Sequence, residues 1–228
     1  RVPLDDLARD YLALLSPGER ARHARFVRQT DRDHYLVAHA LLRTSLSRYG
    51  ELAPAEWTFA ATDHGRPYLP PPRGWLRFNL SHTDGLVACA VTADREVGVD
   101  VECSTRLDDV MELAADVFAP SELEPLRRLP PGRRRDRFFQ LWTLKEAYIK
   151  ARGLGLSLPL DRFWFDLDGE LGFGTAPELA DDAASWQFCS RAPGPRHWLA
   201  VAVRSGPARL RVRARHTIPR LVSTSEPL

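Results

Sequence analysis

The chain has 228 residues, 44% hydrophobic and 27% charged, enough for one large domain or two small ones with a real core. Its formal net charge is only +2, which excludes a surface basic all over, as a general polyanion binder needs, so any anion site must be local. Cys89, Cys103 and Cys189 are odd in number and lack metal-ligand spacing, which argues against a disulfide framework or zinc site and fits a reducing cytosol.

In chain order, residues 5–15 read as a short helix with no signal-peptide pattern. Ser16-Pro17 reads as an N-cap with proline at the first helical position, opening a helix over 18–26. Apolar residues Leu36, Val37, Ala40, Leu41 and Leu42 then recur at helical spacing, predicting a helix from Asp31 to about Tyr49 that Gly50 ends. Strand patterns follow at 57–60, 77–81, 85–92 and 97–102, with a proline-rich loop at 67–73. The apolar run at 85–91 is too short to span a bilayer.

A second cycle begins after Cys103. Residues 107–118 look helical, Ser121 reads as the cap of another helix, and 127–137 as an arginine- and proline-rich link. Residues 136–151 give the clearest helix in the chain, ended by Gly153, and strands are expected at 163–167, 169–173, 185–191 and 197–204. HWLAVAVR in the second cycle echoes GLVACAVT in the first. The expected fold is α+β, in two pseudo-symmetric halves (1–103 and 104–221), each a long helix packed on a small antiparallel sheet. The seam between them is where a ligand site is expected, and residues 222–228 form a polar tail.

Of 32 basic residues only two are lysine, Lys145 and Lys150, and both lie in WTLKEAYIK. A compact ammonium serves one phosphate oxygen or a tight polar pocket better than the planar fork of arginine. Glu146 and Lys150, four residues apart, share a helical face, whereas Lys145 is turned away and has no role that spacing supplies. In Val97–Glu102 the valines share one face of a strand while Gly98, Asp100 and Glu102 share the other. Two such carboxylates suit Mg²⁺, which takes one or two carboxylates with water and phosphate, and Glu146 is a candidate third. In FNLSHTDG, adjacent Ser81 and His82 point apart and no nucleophile elbow surrounds the serine, so hydrogen bonding to an anion is the better reading. Arg66 sits on a Gly-Arg-Pro turn, and Arg20, Arg22 and Arg25 stud the helical segment after Ser16.

GRP, FNLSH, GVDVE and WTLKEAYIK, in that order and at those separations, resemble the Sfp-type 4′-phosphopantetheinyl transferases over roughly residues 16–165. The resemblance extends to the GLGLSLPL segment after the helix. It implies transfer of the 4′-phosphopantetheine arm of coenzyme A to a serine of an acyl or peptidyl carrier protein, releasing adenosine 3′,5′-bisphosphate. Asp100, Glu102 and Glu146 would then be the Mg²⁺ ligands, Glu146 also the base, and Lys150 the cation on the pyrophosphate. Arg22, Arg66, Ser81 and His82 would contact the coenzyme phosphates. One turn before Arg22 the family often carries a lysine where this chain has Glu19, leaving Arg20 or Arg25 to compensate. For the carrier, Leu107, Val110, Met111, Leu113 and Phe118 with Arg106 are the candidate patch, Leu113 and Phe118 being the better core residues. A cytoplasmic monomer serving polyketide or nonribosomal peptide synthesis, without membrane or nucleic-acid partners, completes the expectation. The alternatives on these residues are a Mg²⁺-dependent hydrolase of coenzyme-A-like pyrophosphates and an arginine-based nucleic-acid module around 133–135 and 209–215.

Overall fold

The computed structural model describes residues 4–62, 65–105, 107 and 109–219, and the expected tail at 222–228 lies outside them. The described residues fall into two compact units, one of residues up to 76 together with 213–219 and one within 77–212, a division that differs from halves meeting at residue 103.

In the first unit, α1 (Leu4–Leu14) packs on α3 (Gln29–Leu46) through Tyr11, Leu14, Leu15, Leu36 and Ala40. Between them α2 (Pro17–Arg25) opens on a capping box: Ser16 Oγ accepts from the Glu19 amide at 3.2 Å, and Glu19 accepts from the Ser16 amide at 2.7 Å. The end of α3 falls short of Tyr49, so Gly50 is not a left-handed cap. A side chain there would put its Cβ 2.5 Å from the ring of Trp57, which is buried. The strand expected at 57–60 shrinks to β1 (Ala60–Ala61), paired with β2 (Pro67–Tyr68) inside the supposed proline loop. In a two-stranded ribbon each strand is an edge, where the missing N–H of proline is tolerated.

The second unit carries strands β3 (Leu76–Thr83) and β4 (Leu86–Ala93), hydrogen-bonded to each other and joined at Gly85, whose φ of +76° suits glycine. A separate antiparallel sheet runs in the order β5 (Val97–Cys103), β9 (His197–Arg204), β8 (Trp186–Gly194). Strand β5 thus pairs across the residue-103 boundary, and the echoing strands β4 and β9 lie in different sheets. Helix α4 (Met111–Val117) is shorter than expected, and α5 (Pro120–Arg128) places Pro120 at its start, so Ser121 sits inside the helix. Much of the supposed link is helical, because α6 (Pro131–Arg152) begins on Pro131 and runs through arginines, which are good helix formers. It ends, as expected, at Gly153 in the left-handed conformation. Strands β6 (Phe163–Asp166) and β7 (Gly172–Thr175) pair beside it. Phe138, Phe139, Leu144, Tyr148, Phe163 and Ala200 form the centre of the core between α6 and the strands. No helix among the described residues is long and apolar enough to cross a membrane.

Candidate active site

The site grows from the way α6 lies on β5. Val99 and Val101 turn to one side of the strand and pack with Ala88, as the alternation requires. The opposite face is also covered. Gly98 presses so closely on α6 that a Cβ there would stand 2.0 Å from the Ala147 carbonyl oxygen and 2.5 Å from the Ala151 amide nitrogen. The face carrying Gly98, Asp100 and Glu102 is therefore not a solvent edge, and Asp100 is only 3% exposed.

A second device orders the other edge of β5. Polar residues at every second position of β3 replace a backbone ladder. Asn79 Oδ1, Ser81 Oγ and Thr83 Oγ1 accept from the amides of Val99, Val101 and Cys103 at 2.9, 3.3 and 3.1 Å. Ser81 then has its proton to give, and donates it to Asp100 Oδ1 at 2.9 Å. Lys150 Nζ, one turn beyond Glu146, donates to the same Asp100 oxygen at 2.6 Å and to Ser81 Oγ at 3.0 Å. An ammonium, a hydroxyl and a carboxylate thus close a mostly buried triangle.

Glu146 is half-buried on the Lys150 face. Burial pushes its carboxyl above the ordinary value and the charge of Asp100 raises it further; Lys150 pulls it down and Glu102 adds a smaller push up. Asp100, Glu102, Glu146 and Lys150 therefore share one electrostatic neighbourhood. The second oxygen of Asp100, Oδ2, is buried without a hydrogen-bond partner, which marks the place for a further cation or donor. Among the described residues, no group of three or more Asp, Glu, His or Cys side chains is placed to hold a metal ion, so the expected Asp100–Glu102–Glu146 set is not gathered as a ready site. The chemistry of the donor set fits a hard cation: carboxylate oxygens, mutual repulsion and one orphaned oxygen.

The remaining expected residues fall elsewhere. His82 is exposed on the face of β3 opposite Ser81. Arg22 and Arg66 belong to the first unit, Arg22 exposed on α2 with its guanidinium 5.8 Å from the Tyr35 ring centroid, Arg66 half-buried ahead of β2. Glu19 is engaged inside that unit: its carboxylate accepts from Arg43 and meets His39 Nδ1 at 2.9 Å. Burial works against its charge, but His39, the Ser16 amide and Arg43 outweigh it and hold the carboxyl at about 2. Arg20 donates to the Leu15 carbonyl, tying down the end of α1, while Arg25 is exposed. In the carrier patch, Val110 and Phe118 are core, Leu107, Met111 and Leu113 are partly buried against it, and Arg106 lies outside the described residues. The reading from sequence missed Asn79, Thr83 and Gly98. The period-two polar run N-S-T in an apolar strand, and a glycine inside another, were the signals for them.

Residues 96–202 match the model of the 4′-phosphopantetheinyl transferase superfamily, and residues 3–94 match that of the 4′-phosphopantetheinyl transferase N-terminal region. The chain is 34% identical over 208 residues to the 4′-phosphopantetheinyl transferase HetI of a Nostoc species, covering 89% of this chain and 85% of that protein. It is 31% identical to the 4′-phosphopantetheinyl transferase Sfp of Bacillus subtilis, over 84% of this chain and 83% of the relative. The chain belongs to the 4′-phosphopantetheinyl transferase superfamily and is an enzyme of that type.

Proposed function

We propose that the β3–β5–α6 cluster is the centre at which this enzyme moves the 4′-phosphopantetheine arm of coenzyme A onto a serine of a carrier protein. The observation that carries the assignment is the buried Ser81–Asp100–Lys150 triangle, with Glu146 one turn away and Asp100 Oδ2 unpartnered. In the reaction the serine oxygen bonds the phosphorus bearing the pantetheine arm. The bond from that phosphorus to the bridging oxygen breaks, and the oxygen leaves with adenosine 3′,5′-bisphosphate. Glu146, half-buried beside Asp100 and Lys150, takes the serine proton. Lys150 offsets negative charge that develops on the departing phosphate. Asp100, Glu102 and Glu146 would hold Mg²⁺, which when bound supplies neutralisation of the pyrophosphate charge. Ser81 and the β3 ladder keep Asp100 in place.

Arg22, Arg66 and His82 are assigned to the coenzyme phosphates on the strength of the matched motifs. Met111 lines a cleft of about 430 Å³ together with Arg134 and Arg135, over the buried Val110, offering a carrier cations beside a partly exposed apolar side chain. Acyl and peptidyl carriers of polyketide and nonribosomal peptide assembly, met in the cytoplasm by a monomer, are the proposed setting. Incubation with coenzyme A, Mg²⁺ and a panel of apo carriers, read by intact-protein mass, should show one phosphopantetheine added per carrier. Bisphosphate release without any carrier modification would instead mark a pyrophosphate hydrolase.

A further inference from the structure

Lys145 is the other lysine of this arginine-dominated chain, and the reaction makes no use of it. It adjoins Glu146 but points about 100° away around the helix. Its side chain is fully buried, 0% exposed. Three acceptors meet its three protons: the carbonyls of Leu160 at 2.8 Å and Phe163 at 2.6 Å, and Glu122 Oε2 at 2.7 Å. Glu122, from α5, is itself satisfied by the amides of Ala119 and Phe165, both at 2.9 Å. The Phe163 ring centroid stands 4.5 Å from the ammonium. Arginine would bring five donors and a planar fork to three acceptors in a closed space, which accounts for lysine here.

The neighbouring contacts show what this knot does. Residue 145 ties α6 to α5 and β6, residue 147 seats α6 on Gly98 of β5, and residue 146 lies between them in the site. The helix is gripped on two sides at the level of its reacting carboxylate. We propose that the Lys145–Glu122 pair is a positioning clamp that sets the rotation of α6 presenting Glu146 and Lys150 to Asp100. The proposal rests on the assignment of those residues as the reacting centre. Helical side chains extend roughly 5–6 Å from the axis, so a 20° rotation would carry Glu146 about 2 Å. A misplacement of about 1 Å can cost on the order of 100-fold in rate.

The test replaces the pair by apolar residues, Glu122→Leu with Lys145→Met, which removes the ion pair and also leaves the carbonyls of Leu160 and Phe163 and the amides of Ala119 and Phe165 without these partners. The variant should melt lower, and at a temperature where it is still folded kcat should fall roughly 10- to 100-fold while KM for coenzyme A holds within about twofold. A purely structural pair would not split kcat from KM in a folded variant. A second readout needs no turnover. With only two lysines, ¹⁵N-lysine labelling gives two ε-ammonium resonances, and the double variant retains only that of Lys150. Loss of the clamp should shift that resonance as its 2.6 Å contact with Asp100 loosens. An unchanged Lys150 resonance in the folded variant overturns the clamp, whatever the rate. A shifted resonance with full turnover upholds the clamp and refutes the catalytic assignment instead. Should the double variant be unfolded, Glu122→Gln, which keeps the shape and removes one charge, is read in the same two ways.

Discussion

Replacing Gly98 by alanine adds a single methyl group, yet it should damage both stability and turnover. The added carbon would lie 2.0 Å from the Ala147 carbonyl oxygen, where carbon and oxygen ordinarily approach no closer than about 3.3 Å. Backbone, not a flexible side chain, is what it meets, so α6 must back away from β5 by about 1.3 Å. Overpacking of this kind costs roughly 1–3 kcal/mol, measurable as a lower urea midpoint at unchanged slope. The same displacement opens the Lys150–Asp100 contact, now 2.6 Å, and moves Glu146, which sits beside the struck residue. At on the order of 100-fold per ångström, transfer to a carrier should drop about that far while binding of coenzyme A changes little. Stability within 0.5 kcal/mol of the parent and a rate within twofold would refute the claim that close helix–strand contact builds the site.

Glu146→Gln should fold normally and lose at least 100-fold in transfer, as judged by the rate of carrier mass shift. Its pH signature has a definite sign. Burial and Asp100 raise the folded-state carboxyl, so its contribution to stability is greatest at low pH and is lost as pH rises through that raised value. In chelator, the glutamine variant should melt above the parent at pH 8 and level with it at pH 4. Lys150→Arg keeps the charge but not the compact head held by Asp100 and Ser81, and a loss of roughly 10-fold or more in kcat is expected; undiminished turnover would remove any requirement for lysine. In the first unit, Glu19→Gln should cost about 1–3 kcal/mol at pH 7. Because the folded carboxyl is held at about 2, that stabilisation is present above the ordinary glutamate value and disappears as pH falls toward 2, which urea titrations at several pH values would follow.

Much of the candidate site was legible because its residues are close in sequence and lie on regular elements. Helical spacing alone puts Glu146 and Lys150 on one face, and strand alternation alone puts Asp100 and Glu102 on one side of β5. Capping chemistry likewise gave the start of α2 and the end of α6. The failures share a cause too. Gly50 looked like a helix terminator and is instead kept small by a ring seven residues on, and the arginine-rich stretch before 136 looked like a linker and is the first turn and a half of α6. Local composition does not reveal which neighbour a residue will meet.

By itself, then, the order of residues determined most of the elements and the faces that carry the acidic and basic groups, since these follow from periodicity along one chain, and its motifs carried the resemblance to the family. Only the tertiary structure decided that β5 pairs with β9, that Gly98 lets α6 lie against it, and that Lys150 is held by Asp100 and Ser81. It also separated the two lysines, one turned into the site and one locked in the core with Glu122. The physical reason is burial. A charge deep in the protein persists only where other segments supply its partners, and those partners are brought together by folding rather than by spacing.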